Sequence, residues 1–334
     1  MTDLATVAKQ AGVSRATAAR AFSQPDLVRP ETSQKVFAAA RKLGFRPNHL
    51  GRQLRTQATH IIGVLIPSLD NPVFAEQLQA MEVAARERGY ALLIATTDYD
   101  PEREADIVEE LLRQRVDGLI MTVADAHENA LLRQLDAENI PYLLVYNQLD
   151  TLDAPCVCVD NRQAMFDATR HLQQLGHRHI GMVAGPMLQS DRAKLRYQGY
   201  CQAMLAQRHV ALPIIEMPQH TRSSFEVLAP WLDNDTPLTA LLCSNDLLAI
   251  SVIGDLQRAG LRVPDQVSVI GFDGIALGEQ LCPSLCSVVQ PRQAIGRAAV
   301  EGLLALMGGE QARLEKLPHQ LRLGESVGPL PWPN

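Results

Sequence analysis

The sequence predicts an α/β protein: a small three-helix unit at the N-terminus, then a two-lobed clamshell of parallel sheets. Three observations carry this expectation. Charge is unevenly placed along the 334 residues: positions 1–56 hold ten Lys/Arg against Asp3, Asp26 and Glu31, a balance of +7, and the remainder carries −13. Short amphipathic stretches near the N-terminus are separated by a turn containing Gly12. From Ile61 onward, apolar runs of strand length alternate with amphipathic helices; the pattern runs to Asn147 and restarts after Asp160.

In the head, Leu4, Val7, Ala8 and Ala11 recur at helical spacing behind Asp3, which stands where an N-cap belongs. Gly12 ends that helix and Ser14 is placed to cap the next. Two short helices joined by a Gly-containing turn are the helix-turn-helix signature. A third amphipathic stretch starts near Pro30 and carries Val36, Phe37, Ala40 and Leu43 before Gly44. On the second helix, at about 100° per residue, Arg15, Ala16, Ala19 and Arg20 share a sector about 140° wide. Thr17, Ala18 and Ala21 fall behind it, small enough to let the helix lie tightly on its partner. The forward sector suits a major groove, where arginine holds guanine O6 and N7 bidentately. A solvated arginine pair is the plain alternative. The basic head on an acidic body favours a module that binds a polyanion.

Asn48 to Arg55 is a short helical candidate between head and body. It is too short to hold a helix alone, and Gly51 weakens it by about 1 kcal/mol relative to Ala. Arg52 and Arg55 would attract phosphates. A simple interdomain linker is the alternative.

The body begins with the apolar strand "IIGVLIP". It continues through "PVFAEQLQAMEVAARERGY", ended by Gly89, then "ALLIATTD", "PEREADIVEELLRQRV", "DGLIMTV", "ENALLRQLDAENI" and "PYLLVYN". The second round reads "QAMFDATRHLQQLG", "HIGMVAG", "DRAKLRYQGYCQAMLAQ", "TALLCSND", "LLAISVIGDLQRAG" and "QVSVIGFD". Continuous apolar strands separated by helices imply parallel sheets covered on both faces. Ligands in such sheets bind beyond the carboxyl ends of strands. Ser68, Asn71 and Phe74 follow the first strand. Tyr146 and Asn147 end "PYLLVYN", Asn245 ends "LLCSN", and Asp273 ends "VIGFD". Asp246 is an equal candidate to cap the helix that follows.

Several classes of function find no support. No apolar run approaches the ~18 residues of a membrane span. The N-terminus lacks the regions of a secretion signal, so a cytoplasmic chain is expected. The six cysteines, among them "CVC" and "CPSLC", lack the paired spacing of a zinc site and read as reduced and mostly buried. His171, His177 and His179 invite a metal reading, but "GHRHI" reads better as a turn and strand. No GxSxG, P-loop or GxGxxG motif is present, so neither catalytic residues nor a cofactor is expected.

"VAKQAGVSRATAAR" resembles the signature of the LacI/GalR (lactose/galactose repressor) family of bacterial transcription factors, of the form VAxxAGVSxxTVSR. The departures are Ala18 and Ala19 for Val-Ser, and Thr6 for a common Asp. "RPETSQKVFAAARKLGFRPNHLGRQLRT" continues the family pattern. "DGLI", "LGHRHIGMVAG", "SND", "GLRVPDQVSVIGFD" and "PRQAIGRAAVEGLL" match later family blocks, so the resemblance spans the chain.

The resemblance implies a helix-turn-helix domain over 1–47 and a hinge helix over 48–57. It implies a periplasmic-binding-protein-like core over 58–334, with one subdomain at 58–158 and 291–318 and the other at 159–290 and 319–334. It places Ser14, Arg15, Ala16, Thr17 and Arg20 on double-stranded operator DNA, with Arg15 and Ala16 setting base preference. Asn48, Arg52 and Arg55 would join from the hinge, and Leu54 would wedge into the minor groove. The hinge folds on DNA in this family, and Gly51 predicts more disorder than usual off it. Arg196 stands at the family's ligand arginine and Asn245 at a sugar-contacting residue. Gly274 replaces a second Asp, and Tyr146-Asn147 replaces an acid found in many relatives, which points to a less cationic or more anionic effector. His220 or Gln219 falls near a position where some relatives stack an aromatic ring. The last block ends without leucine heptads, which leads to the expectation of a homodimer. The function implied is a regulator, most often a repressor, controlled by a sugar, sugar acid or sugar phosphate. A solute-binding protein and an enzyme using the cleft are the competing classes; the basic head argues against the first and the missing catalytic motifs against the second.

Overall fold

The computed structural model describes residues 3–45, 58–127, 129–149, 155–311 and 313–330. The chain divides into two compact units, Met1–Thr59 and His60–Asn334.

The first unit holds α1 (Leu4–Ala11), α2 (Arg15–Ser23) and α3 (Pro30–Lys42). Asp3 caps α1 by accepting from Thr6 N at 2.8 Å, and Gly12 ends it with a left-handed φ of +67°. Ser14 Oγ accepts from Thr17 N at 3.1 Å and caps α2. Pro30 occupies the first turn of α3, where a missing N–H is harmless. The three helices close on Val7, Ala8, Ala18, Ala21, Val36, Ala39 and Ala40. Phe22 packs against Phe37 and Phe45 at ring separations of 5.4 and 5.8 Å. The hinge reading of Asn48, Arg52, Leu54 and Arg55 lies outside the described residues.

The second unit is two lobes. One sheet contains β1 (Ile61–Ile66), β2 (Ala91–Thr96), β3 (Gly118–Met121), β4 (Tyr142–Val145), β5 (Cys156–Val159) and β11 (Leu314–Leu317). Its order is β11-β5-β4-β3-β1-β2, all neighbours parallel. The other contains β6 (Ile180–Ala184), β7 (Ile215–Glu216), β8 (Ala240–Cys243), β9 (Ser268–Asp273), β10 (Cys286–Val289) and β12 (Gln320–Arg322). Its order is β12-β10-β9-β8-β6-β7, with only the β12–β10 pair antiparallel. Helices α4 (Pro72–Glu87), α5 (Arg103–Arg113), α6 (Ala130–Ala137) and α11 (Arg292–Met307) belong to the first lobe. Helices α7 (Asn161–Gln174), α8 (Asp191–Ala206), α9 (Phe225–Leu232) and α10 (Asp246–Arg258) belong to the second.

The chain passes between the sheets after β5, after β10 and after β11. Thus α11 follows a strand of the second lobe yet packs on α4 and β4 of the first. The central strands are buried on both faces, as the unbroken apolar runs require. The sequence alternation passes over β5, because "CVCV" reads as cysteine chemistry before it reads as a strand. It also passes over α9, which carries Pro230 inside it. The six cysteines are free thiols; Cys156, Cys158, Cys243 and Cys286 are buried, and Cys282 is exposed. The cap ambiguity at "SND" resolves in favour of Asn245, whose Oδ1 accepts from Leu248 N at 2.9 Å. Asp246 turns instead into the core, accepting from Ser287 Oγ at 2.6 Å and Ile275 N at 2.7 Å.

Candidate functional site

On the helical unit, α2 is divided by its sequence into two faces. Ala18 and Ala21 are fully buried, and Arg15, Ala16, Ala19 and Arg20 are exposed. The hydroxyls of Ser14 and Thr17 lie 2.9 Å apart and close the N-terminus of the helix. Arg15 therefore projects from the first turn of a capped helix. Among the described residues, neither Arg15 nor Arg20 makes an ion pair, so both guanidiniums are available to phosphates or base edges.

In the second unit the carboxyl ends of the strands of both lobes surround a narrow cavity of about 50 Å³. Six residues expected from sequence line it: Asn71, Phe74, Tyr146, Arg196, Asn245 and Asp273. Asn71 caps α4 through Val73 N at 3.2 Å, and Phe74 meets Tyr146 edge-on at 5.9 Å. Arg196 lies over the Phe272 ring at 3.5 Å and donates to Asn161 Oδ1 at 2.9 Å and to the Ser244 carbonyl. Burial lowers its guanidinium to about 10. Asp273 Oδ1 accepts from Gln290 Nε2 at 2.8 Å, and burial pushes its carboxyl up to about 6 against the pull of Arg196. Tyr99, Tyr146 and Asp273 all carry left-handed φ angles of +61°, +66° and +107°. Non-glycine residues held there store strain, which collects at ligand sites.

Two expected residues stand elsewhere. Ser68 lines an outer mouth of about 310 Å³, and its Oγ accepts from Asp70 N at 3.0 Å. Asn147 does not line the cavity. Its side chain accepts from Val123 N at 2.9 Å and donates to Val123 O at 2.9 Å and to Asp191 Oδ2 at 2.7 Å. Asp191, from the second lobe, also accepts from Ala126 N at 3.1 Å, and its own N donates to Ala124 O at 2.8 Å. Arg192 Nη1 donates to Val123 O at 2.7 Å. Glu104 Oε1 accepts from Ala124 N at 2.6 Å, and burial raises that carboxyl to about 7. The bonds of Asp191 and Arg192 tie the loop after β3 and Asn147 to the start of α8, lobe to lobe, and those from Glu104 and Asn147 hold that loop within the first lobe.

The structure adds residues that the sequence reading does not reach. Arg192 lines the cavity; it precedes Arg196 by one helical turn, and that spacing is the signal that could have found it. Gln290 follows β10, a strand the sequence reading does not separate. Tyr99 is another, and it stacks on His220, which the family resemblance offered with Gln219 near a ring-stacking position, at 4.1 Å with an interplanar angle of 25°, one ring from each lobe. The His220 Nε2 sits 3.0 Å from Gln189 Oε1, and its carbonyl accepts from Asn245 Nδ2 at 2.7 Å. Burial lowers its imidazole to about 4, so the ring is neutral at pH 7. Both Tyr99 and His220 line the inner cavity and the outer mouth, so the stack is the wall between them. His177, in the suspected metal set, is buried with Nδ1 2.9 Å from Thr239 Oγ1 and Nε2 3.0 Å from Gly328 O, so its ring is spent on structure.

Comparison with known proteins agrees with both surfaces. Residues 3–48 match the profile of bacterial regulatory proteins of the lacI family, and residues 59–323 that of periplasmic binding proteins and the sugar binding domain of the LacI family. The repressor CytR of Escherichia coli (strain K12) is 33% identical over 312 residues, covering 91% of this chain and 89% of that protein. The regulator GntR of Escherichia coli (strain K12) is 32% identical over 328 residues, covering 97% and 96%. Among solved structures, the Lac repressor dimer bound to operator and the anti-inducer ONPF matches with a TM-score of 0.86 at 27% identity, covering 98% and 99%. The regulator CelR in complex with cellobiose matches with a TM-score of 0.71 at 27% identity, covering 98% and 100%. Among the described residues, no helix is long and apolar enough to cross a membrane. The chain belongs to the LacI family of bacterial regulatory proteins: it is a DNA-binding transcriptional regulator with a periplasmic-binding-protein-like core, and not an enzyme.

Proposed function

We propose that this regulator is a cytoplasmic homodimeric repressor that binds a pseudo-palindromic operator and is controlled by a small polyhydroxylated effector in the interlobe cleft. The observation that carries the reading is the pairing, in one chain, of an exposed arginine face on α2 with a buried polar cavity between two lobes. The Lac repressor relative is a dimer on operator DNA and the CelR relative holds cellobiose, which supports both partners.

In this reading Arg15 reads a base pair, G·C by its chemistry, and Arg20 holds the backbone or a neighbouring base. Ser14, Ala16 and Thr17 set how closely α2 enters the groove. Asn48, Arg52, Leu54 and Arg55 serve as hinge contacts, with Leu54 the wedge. Asn71, Phe74, Tyr146, Arg196, Asn245 and Asp273 hold the effector, Ser68 stands at the mouth, and Asn147 acts through the interlobe bonds. The domains divide at 1–47, 48–57 and 58–334, and the membership of the two sheets supports lobes that exchange strands near 158, 291 and 318. A mobility-shift assay on operator fragments at several salt concentrations tests the reading. Affinity should fall steeply with salt, because phosphate contacts release counterions. The absence of sequence-specific DNA binding, with and without sugars, would overturn it.

A further inference from the structure

The cavity between the lobes and the mouth outside it share one wall. The inner cavity is about 50 Å³, well under the roughly 300–1,000 Å³ of small-molecule sites. The outer mouth, at about 310 Å³, falls within that range. Among the described residues, only Tyr99 and His220 line both spaces. Their rings stack at 4.1 Å and meet from opposite lobes.

The two rings are held differently. His220 is seated. A Cβ at Gly185, just past β6, would come within 2.6 Å of His220 Cα, so the glycine there makes room for the His220 backbone. The His220 carbonyl accepts from Asn245 Nδ2 at 2.7 Å, and its Nε2 lies 3.0 Å from Gln189 Oε1. Tyr99 stands on the loop after β2. It and Asp98 hold left-handed φ angles of +61° and +55° in succession. Non-glycine residues are strained in that region, and a change of φ at either one swings the Tyr99 ring. Besides the stack, the Tyr99 hydroxyl is met by the Asn71 side chain.

We propose that the Tyr99–His220 stack is a gate between mouth and cavity, with His220 the fixed post and Tyr99 the moving leaf. Parting the rings joins the two spaces into one of ligand size. Closing them shuts the inner cavity off from the mouth. A small molecule then enters and leaves only through the open fraction, which scales its apparent binding. The purpose of the gate rests on the reading of this cleft as the effector site. The test uses no effector, so the gate and that reading fail separately.

The test places a thiol inside the cavity. Ser244 lines it and is 5% exposed, and Ser244→Cys exchanges a hydroxyl for a thiol of similar size. The full-length variant is treated with iodoacetamide, and labelling of each cysteine is followed in time by peptide mass spectrometry. Exposed Cys282 is the reference for free access, and buried Cys156 and Cys286 report loosening of the fold. A gate open roughly 0.1–10% of the time slows the reporter at position 244 roughly ten- to thousandfold relative to Cys282. Adding Tyr99→Ala should speed the reporter at least roughly fivefold while Cys156 and Cys286 stay unlabelled. Tyr99→Phe keeps a ring in the stack and should change the rate little. Ala193→Cys, on the same wall, is the second reporter if Ser244→Cys does not fold. A reporter that reacts as fast as Cys282, or one that Tyr99→Ala leaves unchanged, overturns the gate. Acceleration shared by Cys156 and Cys286 also overturns it, because access then comes from loosening of the whole fold.

Discussion

At the residue scale, Arg15 is the long side chain at the first turn of α2, flanked by Ala16 and Ala19. Arg15→Ala should therefore cost about 1–3 kcal/mol on the best operator and relax preference at one base pair. A uniform loss across all operator variants in a binding panel would reduce Arg15 to a phosphate contact. Arg196 sits in the cavity and belongs to the second unit, so Arg196→Ala should remove the effector response and leave operator affinity unchanged. Asp246 gives a pH prediction with a definite sign. Burial pushes its carboxyl up to about 8 from an ordinary value of 3.8. Between those limits the folded protein holds a proton that the unfolded chain has released, so this contribution to stability declines as pH rises toward about 8. Glu104, raised to about 7, acts in the same direction. Asp246→Asn can still accept from Ile275 N and donate to Ser287 Oγ. Its melting temperature should fall less between pH 6 and 8 than that of the wild type; parallel slopes would show that Asp246 is ionised throughout.

At the element scale, small residues decide how closely helices approach. Ala18 and Ala21 let α2 lie against the rest of its unit, and Gly199 does the same for α8. A Cβ at Gly199 would overlap the Arg162 carbonyl of α7. Gly199→Ala should destabilise the core by about 1–3 kcal/mol, the usual cost of overpacking. The shift of α8 would carry Arg192 and Arg196 with it. Chemical denaturation and effector titration of the same variant should both change. Gly12 differs, because its φ of +67° faces open space. Gly12→Ala there should cost about 1–2 kcal/mol through backbone conformation alone, read as an earlier melting of the helical unit.

At the scale of the whole molecule, three passages of chain join the two sheets, and bonds from Asp191 and Arg192 to residues 123–126 and 147 link the lobes. In the proposed function, an effector that binds one lobe arrangement better than another would shift the balance between them, with a coupling to DNA that is reciprocal in free energy. Asn147→Ala removes bonds to Val123 and Asp191 without touching the cavity wall. It should change the ratio of DNA affinities with and without effector more than it changes effector affinity itself. An unaltered ratio in paired binding titrations would take Asn147 out of the coupling.

The sequence by itself determined the class of each unit. Caps, a glycine turn and methyl-sized residues write a helix-turn-helix locally, because those signals act within a few positions of the chain. Continuous apolar runs likewise declare parallel strands covered on both faces. Strand-end position also found Asn71, Phe74, Tyr146, Asn245 and Asp273, since ligands gather where parallel strands stop, and the family resemblance added Arg196. Only the tertiary structure decided what depends on distant chain segments meeting. It showed that Asn147 faces a lobe-to-lobe bond, and that Tyr99 and His220 share one stack although 121 positions separate them. Those outcomes are set by the crossing of the chain between two sheets, and no local pattern carries that information.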